Sequence, residues 1–397
     1  MNKKKYYDER TGKLITDELI LEMIRLEEKI PNDLRFPFMT NKLSGSREPH
    51  KTQWMSSYFV FRIAKPTPTD EECKGYYQRI NVDSADDINR FRGALIGCAI
   101  GDALGTTVEF KEPGSFPPLT DIVGGGPFNL KAGEWTDDTS MMYCLAHSLI
   151  RTKQCDLKDQ MDLYCKWWQD GVFSATGKCF DIGNTVVSAL KRYQQTGDPL
   201  SGDTTPMSAG NGSLMRIAPI PIRYFNSFEN TIKYAALSSM TTHGAIEAVD
   251  ACRYFSGLIW GALHGISKDE LLDGLYTPID EYWEQNPLCD SVLKLIKEEQ
   301  YKNKKAKDIR ASGYVMHTLE AVLWAFFHSD SFETGALLAV NLGEDADTTG
   351  AIYGQLAGAY YGERVIDFRW VRKIKESHCF YLKAEELKDI IISERAI

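Results

Sequence analysis

Two acidic stretches roughly two hundred residues apart share one arrangement. In "GEWTDDTSMM", Gly133 to Met142, Asp137 and Asp138 stand side by side between Thr136 and Thr139, just ahead of an apolar run. In "NLGEDADTTGA", Asn341 to Ala351, Asp345, Asp347 and Thr348 stand just ahead of another. Adjacent carboxylates repel, and acids are poor residues for a helix interior. A helix start relieves part of that, because its free N–H groups and dipole favour negative charge. Divalent cations relieve more, and carboxylate and hydroxyl oxygens are the hard donors that Mg2+ or Mn2+ prefer. Either cluster alone reads equally well as an N-cap with acids in its first turn. Taken together they admit a binuclear metal site, and spacing leaves both readings open.

Other stretches carry weaker chemistry. "SAGNGSLMRIAPI", Ser208 to Ile220, places Gly210 and Gly212 around Asn211 and ahead of Ser213, a loop whose backbone N–H groups could cradle phosphate oxygens or simply turn. His243 and Gly244 in "TTHGAIEAVDACRYF" stand near a helix start, where a histidine is often a structural hydrogen-bonder. Asp181 in "TGKCFDIGNT" is either a cap or a carboxylate aimed at a cationic group. "GGGPFNL", Gly124 to Leu130, shapes a cleft or merely turns.

The elements that must position these residues are helical. Apolar residues recur at helical spacing near 139–151, 157–170, 183–195, 230–240, 243–264, 289–300, 313–328, 333–341 and 348–361. Few convincing strands lie among them, so an all-α, compact multi-helix body is expected over residues 88–397. Two glycine ladders at i, i+4 spacing stand out: Gly93, Gly97, Gly101 and Gly105, then Gly350, Gly354, Gly358 and Gly362. Each mid-helix glycine costs about 1 kcal/mol relative to alanine. A bare stripe on one helix face offsets that when another backbone comes close, so both helices are expected to be central and tightly packed.

Residues 1–87 read differently, as a small α/β extension. Asp17–Lys29 is an amphipathic helical stretch, "WMSSYFVFRI" from Trp54 to Ile63 has the content of a strand, and a helix opens at Asp70. Ser84 is a suitable N-cap for the body's first helix.

The chain has 397 residues, a net charge of −9 and a pI near 5.4, which argues against a broad nucleic-acid-binding surface. No apolar run approaches the roughly 20 residues of a membrane span, and no apolar segment follows the basic N-terminus as in a signal peptide. Nine cysteines without a CxxC pair or a Cys/His cluster point to a reducing, cytoplasmic setting without zinc.

"GALIGCAIGDALGTTVEF", "GGGPFNLKAGEWTDDTSMM", "TGKCFDIGNT", "SAGNGSLMRIAPIPI", "THGAIEAVDACRYF" and "LGEDADTTGAIYGQLAGAYYG" resemble, in that order, the ADP-ribosylglycohydrolases, with the dinitrogenase-reductase-activating type as the nearest branch. The resemblance runs from about Phe91 to about Gly362. It implies an all-α, metal-dependent hydrolase that removes ADP-ribose from a modified protein side chain, with arginine the preferred acceptor. It implies Thr136, Asp137, Asp138, Asp345, Asp347 and Thr348 as ligands of two Mg2+ or Mn2+ ions. Glu109, Asp138 and Asp347 are the implied acid/base carboxyls, without a choice of which is the base. Gly210, Asn211, Gly212, Ser213 and Met215 match the loop that cradles diphosphate and ribose, His243 and Gly244 the pair beside the ligand, and Asp181 an acid of the arginine-directed branch. Glu344 replaces the family's more frequent Asp and is not counted as a ligand. Partners implied are an ADP-ribosylated protein and, through residues 1–87, an ADP-ribosyltransferase toxin. The alternative reading is accordingly an immunity or antitoxin protein that occludes such a toxin, with hydrolysis secondary.

Overall fold

The computed structural model describes residues 87–395. The expectations for residues 1–86, including the Asp17–Lys29 helix, the Trp54–Ile63 strand, the helix at Asp70 and the Ser84 cap, lie outside the described residues. What is described is mostly helical, and its only β pairing consists of isolated bridges such as Asp203 with His243 and Gly210 with Tyr314. The longer helices are α1 (Asp87–Gly105), α2 (Asp137–Thr152), α3 (Leu157–Asp170), α4 (Asn184–Thr196), α5 (Phe228–Met240), α6 (Ile246–Leu263), α7 (Asp290–Glu298), α8 (Val315–Phe327), α9 (Phe332–Val340), α10 (Ala346–Tyr361) and α11 (His378–Arg395). Helix boundaries follow cap chemistry: Asp156 accepts from the Asp159 amide to open α3, and Gly171, at φ 69°, closes it.

α1 and α10 form the centre. Every residue from Gly93 to Gly105 and from Ala346 to Ala359 is buried, as expected of helices enclosed on all sides. They run antiparallel with their backbones touching. A Cβ added at Gly93 would lie 2.1 Å from the Gly358 carbonyl oxygen, at Gly97 2.3 Å from that of Gly354, and at Gly101 1.9 Å from that of Gly350. The fourth pairing falls to Gly105 and Ala346, at 2.3 Å. Gly362 is therefore not part of the ladder. It sits just past α10 at φ 81°, packed on the Asn89 side chain, where it ends the helix.

This antiparallel register brings the end of α1 beside the start of α10. The start of α2 joins them, and α11 braces it from outside. Phe380 of α11 meets Trp135 and Tyr143 edge-on, with ring centroids 5.5 and 5.8 Å apart. No described helix is long and apolar enough to cross a membrane. The eight described cysteines are all free.

Candidate metal centre and ligand cleft

The junction is built around Asp102, fully buried in α1. Its carboxylate accepts from the Thr136 amide at 2.9 Å and hydroxyl at 2.9 Å, and from the Thr139 amide at 3.1 Å and hydroxyl at 2.6 Å. Those bonds fasten the first turn of α2 to α1 and so aim Asp137 and Asp138. Asp102 did not emerge from the sequence as a site residue. The signal available was an acid inside an otherwise apolar, glycine-laddered helix with no cation one turn away.

Thr136 Oγ1 also lies 3.0 Å from Asp138 Oδ2 and 3.3 Å from Asp347 Oδ2, so the two sequence clusters meet at one hydroxyl. On the α10 side, the Asp345 amide donates to the Ala311 carbonyl at 2.9 Å, and its Oδ2 accepts from Asn211 Nδ2 at 2.7 Å. Asp347 Oδ1 accepts from the Thr348 amide at 2.9 Å. Glu344 is taken up elsewhere: its carboxylate accepts from the Ala311 amide and pairs with Arg310 at 2.7 Å. Glu344 also clasps the segment after Glu109, since Phe110 N–H donates to Glu344 O at 2.7 Å and Glu344 N–H to Lys111 O at 2.8 Å. Phe110 and Glu344 both take left-handed backbone, at φ 62° and 54°, to make that clasp.

Above this floor opens a cavity of about 560 Å3. Glu109, Asp137, Asp181, Asp345, Asp347 and Thr348 line it on the acidic side. Gly210, Asn211, Gly212, Met215 and His243 line the other, beside Ser312 and Gly313. Thr136 and Asp138 lie beneath the floor, fully buried and away from the cavity wall. Asp138 therefore presents no face to the cavity. Ser213 turns its hydroxyl inward to Ser239 at 2.8 Å, leaving only its backbone to the loop. Gly244 is off the cavity wall, packed on Gly202, where a Cβ would lie 2.9 Å from the Gly202 oxygen. Ser312, Gly313 and Phe110 also line the cleft and carried no chemical signal in the sequence.

Electrostatics marks the acidic side as one unit. Burial pushes the Glu109 carboxyl up to about 9, with Asp181 and Asp345 adding to it. Burial likewise raises Asp102 and Asp181 to about 6, Asp102 being held back by its Thr139 and Thr136 bonds. Asp137, Asp138 and Asp347 are driven well above the carboxylate range by burial and then by the surrounding carboxylates. No cation of the protein pairs with any of them in the bonds described. Asp138 Oδ1 and Glu109 Oε2 are buried with no hydrogen-bond partner. Thr136 Oγ1, with one proton, faces three carboxylate oxygens. Carboxyl oxygens of Asp102, Asp138 and Asp347 lie within 4.8 Å of one another, as do those of Glu109, Asp181 and Asp347. Orphaned hard oxygens at that density fit divalent cations.

A profile of the ADP-ribosylglycohydrolase family matches residues 83–396. The ADP-ribosylarginine hydrolase Tri1 of Pseudomonas putida (strain GB-1) is 41% identical over 92% of this chain and 95% of its own. The ADP-ribosyl-[dinitrogen reductase] glycohydrolase of Rhodospirillum rubrum is 31% identical over 72% of this chain and 90% of its own. A solved structure described as an ADP-ribosylglycohydrolase-related protein complex superposes with a TM-score of 0.68 at 40% identity, covering 77% of this chain and 99% of that one. The chain belongs to the ADP-ribosylglycohydrolase family.

Proposed function

We propose that this protein is a metal-dependent glycosidic hydrolase that releases ADP-ribose from arginine side chains of modified proteins. The observation that carries the reading is the convergence of the two acid–threonine clusters on Thr136 Oγ1 beneath a cavity walled opposite by the Gly210–Gly212 loop. Relatives named for ADP-ribosylarginine hydrolysis, at about 40% identity over most of the chain, support arginine as the acceptor.

Thr136, Asp137, Asp138, Asp345, Asp347 and Thr348 would hold two Mg2+ or Mn2+ ions. Bound there, the ions would supply positive charge against the ribose hydroxyls and the attacking water. The chain's own groups do the rest. The Gly210–Ser213 backbone and His243 bind the diphosphate, and Asn211 keeps Asp345 oriented. Asp347 and Glu109 face the cavity and can take a proton from water and return one to the leaving nitrogen. Asp138, sealed from the cavity, acts as a ligand only. Asp181 stands on the cavity wall, where a carboxylate can pair with the planar, permanently charged guanidinium.

The assay incubates the full chain with arginine-, serine- and nucleic-acid-linked ADP-ribose, with Mg2+ or with EDTA, and quantifies free ADP-ribose. Release from arginine alone, abolished by EDTA and reduced at least tenfold in Asp181→Asn, is expected. No release from the arginine adduct would overturn the reading.

Residues 88–397 are proposed as the catalytic body and 1–87 as a partner-binding extension. The Pseudomonas putida relative spans 92% of the chain and therefore shares part of that extension. A grip of residues 1–87 on an ADP-ribosyltransferase toxin is the second reading. It fails if a chain lacking them binds the toxin as tightly as the full chain.

A further inference from the structure

Arg216 is fully buried and has no carboxylate partner among the described residues. Its Nη donors go to neutral acceptors, while Nε is buried without a partner. Nη1 donates to the Gly212 carbonyl at 3.1 Å. Nη2 donates to Thr242 Oγ1 at 2.8 Å, with the Thr241 hydroxyl and the Ser238 carbonyl each at 3.2 Å. The guanidinium lies over the Tyr164 ring, 4.6 Å from its centroid. A guanidinium has no acceptor site, so the Thr242 hydroxyl accepts from Arg216. Its one proton then has a single remaining partner, His243 Nδ1, at 2.9 Å. The hydroxyl has a second lone pair for an Nδ1–H, but its own proton would then be buried without a partner; the fully paired arrangement has Nδ1 accepting and the ring proton of the neutral imidazole on Nε2.

Nε2 has no protein partner among the described residues and faces the diphosphate loop. A Cβ at Gly210 would lie 3.4 Å from it, and one at Gly212 3.1 Å. The same guanidinium fixes the loop itself. Because a trans peptide points its C=O and N–H in opposite directions, drawing the Gly212 carbonyl onto Arg216 turns the Ser213 N–H away from it. That amide donates to no protein acceptor among the described residues. One buried cation thus orients two unused donors, one on the loop and one on the ring that faces it.

We propose that Arg216 is a positioning residue: through Thr242 it locks His243 as the Nε2–H tautomer, making the ring a fixed hydrogen-bond donor to a diphosphate oxygen of ADP-ribose on the Gly210–Gly212 loop. The ligand half of this statement rests on the cleft being an ADP-ribose site, and the tautomer half does not. Burial, with the Arg216 charge beside it, keeps His243 neutral, its pKa pushed down to about 3. His243 is therefore a donor and not a general base.

The test is long-range 1H–15N correlation on the full chain labelled at histidine, free and with ADP-ribose, together with calorimetry of ADP-ribose binding. Wild type should show one His243 tautomer, protonated at Nε2, in both states. Thr242→Ser should preserve it. Thr242→Val should mix the tautomers and weaken ADP-ribose about tenfold. Arg216→Met should do the same, and if that variant does not fold the Thr242 pair decides. His243→Gln, whose amide nitrogen reaches the Nε2 position, should bind about tenfold tighter than His243→Asn. A His243 protonated at Nδ1 in wild type, or Thr242→Val with unchanged tautomer and affinity, would overturn the proposal. Should the tautomer and affinity pattern hold while no adduct is hydrolysed, only the hydrolase reading falls.

Discussion

Replacing Gly101 with alanine pits helix propensity against packing. Propensity alone favours alanine by about 1 kcal/mol. Against it, the new Cβ would sit 1.9 Å from the Gly350 carbonyl oxygen and 2.2 Å from its carbon. Carbon-to-oxygen approaches between packed backbones close at about 3.3–3.6 Å, so the helices must part locally by about 1.4 Å or more. Overpacking a core with side chains costs about 1–3 kcal/mol. Here the struck atoms belong to the backbone and have no rotamer to escape into, which puts the cost at the upper end. The net expectation is a loss of roughly 2 kcal/mol, read by guanidinium denaturation in EDTA. Mn2+ affinity is the second readout. Gly101 neighbours Asp102 and lies one turn from the end of α1, so parting the helices there displaces the acid cluster. Gly93→Ala, 2.1 Å from the Gly358 oxygen at the far end, should lose similar stability with a smaller change in affinity. A Gly101→Ala protein as stable as wild type, or more so, would refute the close-backbone reasoning.

Three further outcomes follow from the buried titratable groups. Glu109 holds its proton up to about 9 when folded but releases it near 4.5 when unfolded, so the metal-free protein loses stability as pH rises through that window. Between pH 7 and 9 this amounts to about 2 kcal/mol; saturating Mg2+ should flatten the slope in paired urea titrations, and an equal slope with and without the ion would count against a cation site. In the same metal-free state, Asp347→Asn should raise the melting temperature by a few degrees by removing the cost of keeping a buried carboxyl protonated among other acids, while losing Mn2+ binding in calorimetry. Burial lowers His147 to about 3, with its folded form neutral, so its contribution is lost as pH falls below the unfolded value near 6.5. With Mg2+ present, His147→Gln should lose about 2 kcal/mol less than wild type between pH 7 and 5, and identical losses would show that this histidine is not held neutral.

The helical plan was readable because periodicity and capping are local. The segment expected near 157–170 is α3 itself, and that near 333–341 is α9 within a residue. Helix α11 was not foreseen: its aromatic and charged residues do not separate cleanly along one stripe, and the rings its Phe380 meets, Trp135 and Tyr143, lie far away in sequence. The two acid–threonine clusters that meet at Thr136 were legible because an unusual local composition flags them. Asp102 and Arg216 were not, since the partners that define them lie in other segments: residues 34 and 37 positions away for Asp102, and, beyond the nearby Gly212 carbonyl, residues 22 to 26 positions away for Arg216. Likewise, the ladder's fourth step could not be assigned from spacing, because Gly362 keeps the repeat but ends the helix.

The main-chain seam between α1 and α10 has a consequence for how this scaffold can change over time. Side-chain interfaces can drift by exchanging one bulky residue for another, but a seam made of main chain has nothing to exchange. Sliding one rod along the other by a single helical turn would carry Asp345 and Asp347 about 5.4 Å past Glu109 and dismantle the centre outright. Substitutions in the cavity-lining loops around Asp181, Gly210 and Gly313 leave that axis untouched.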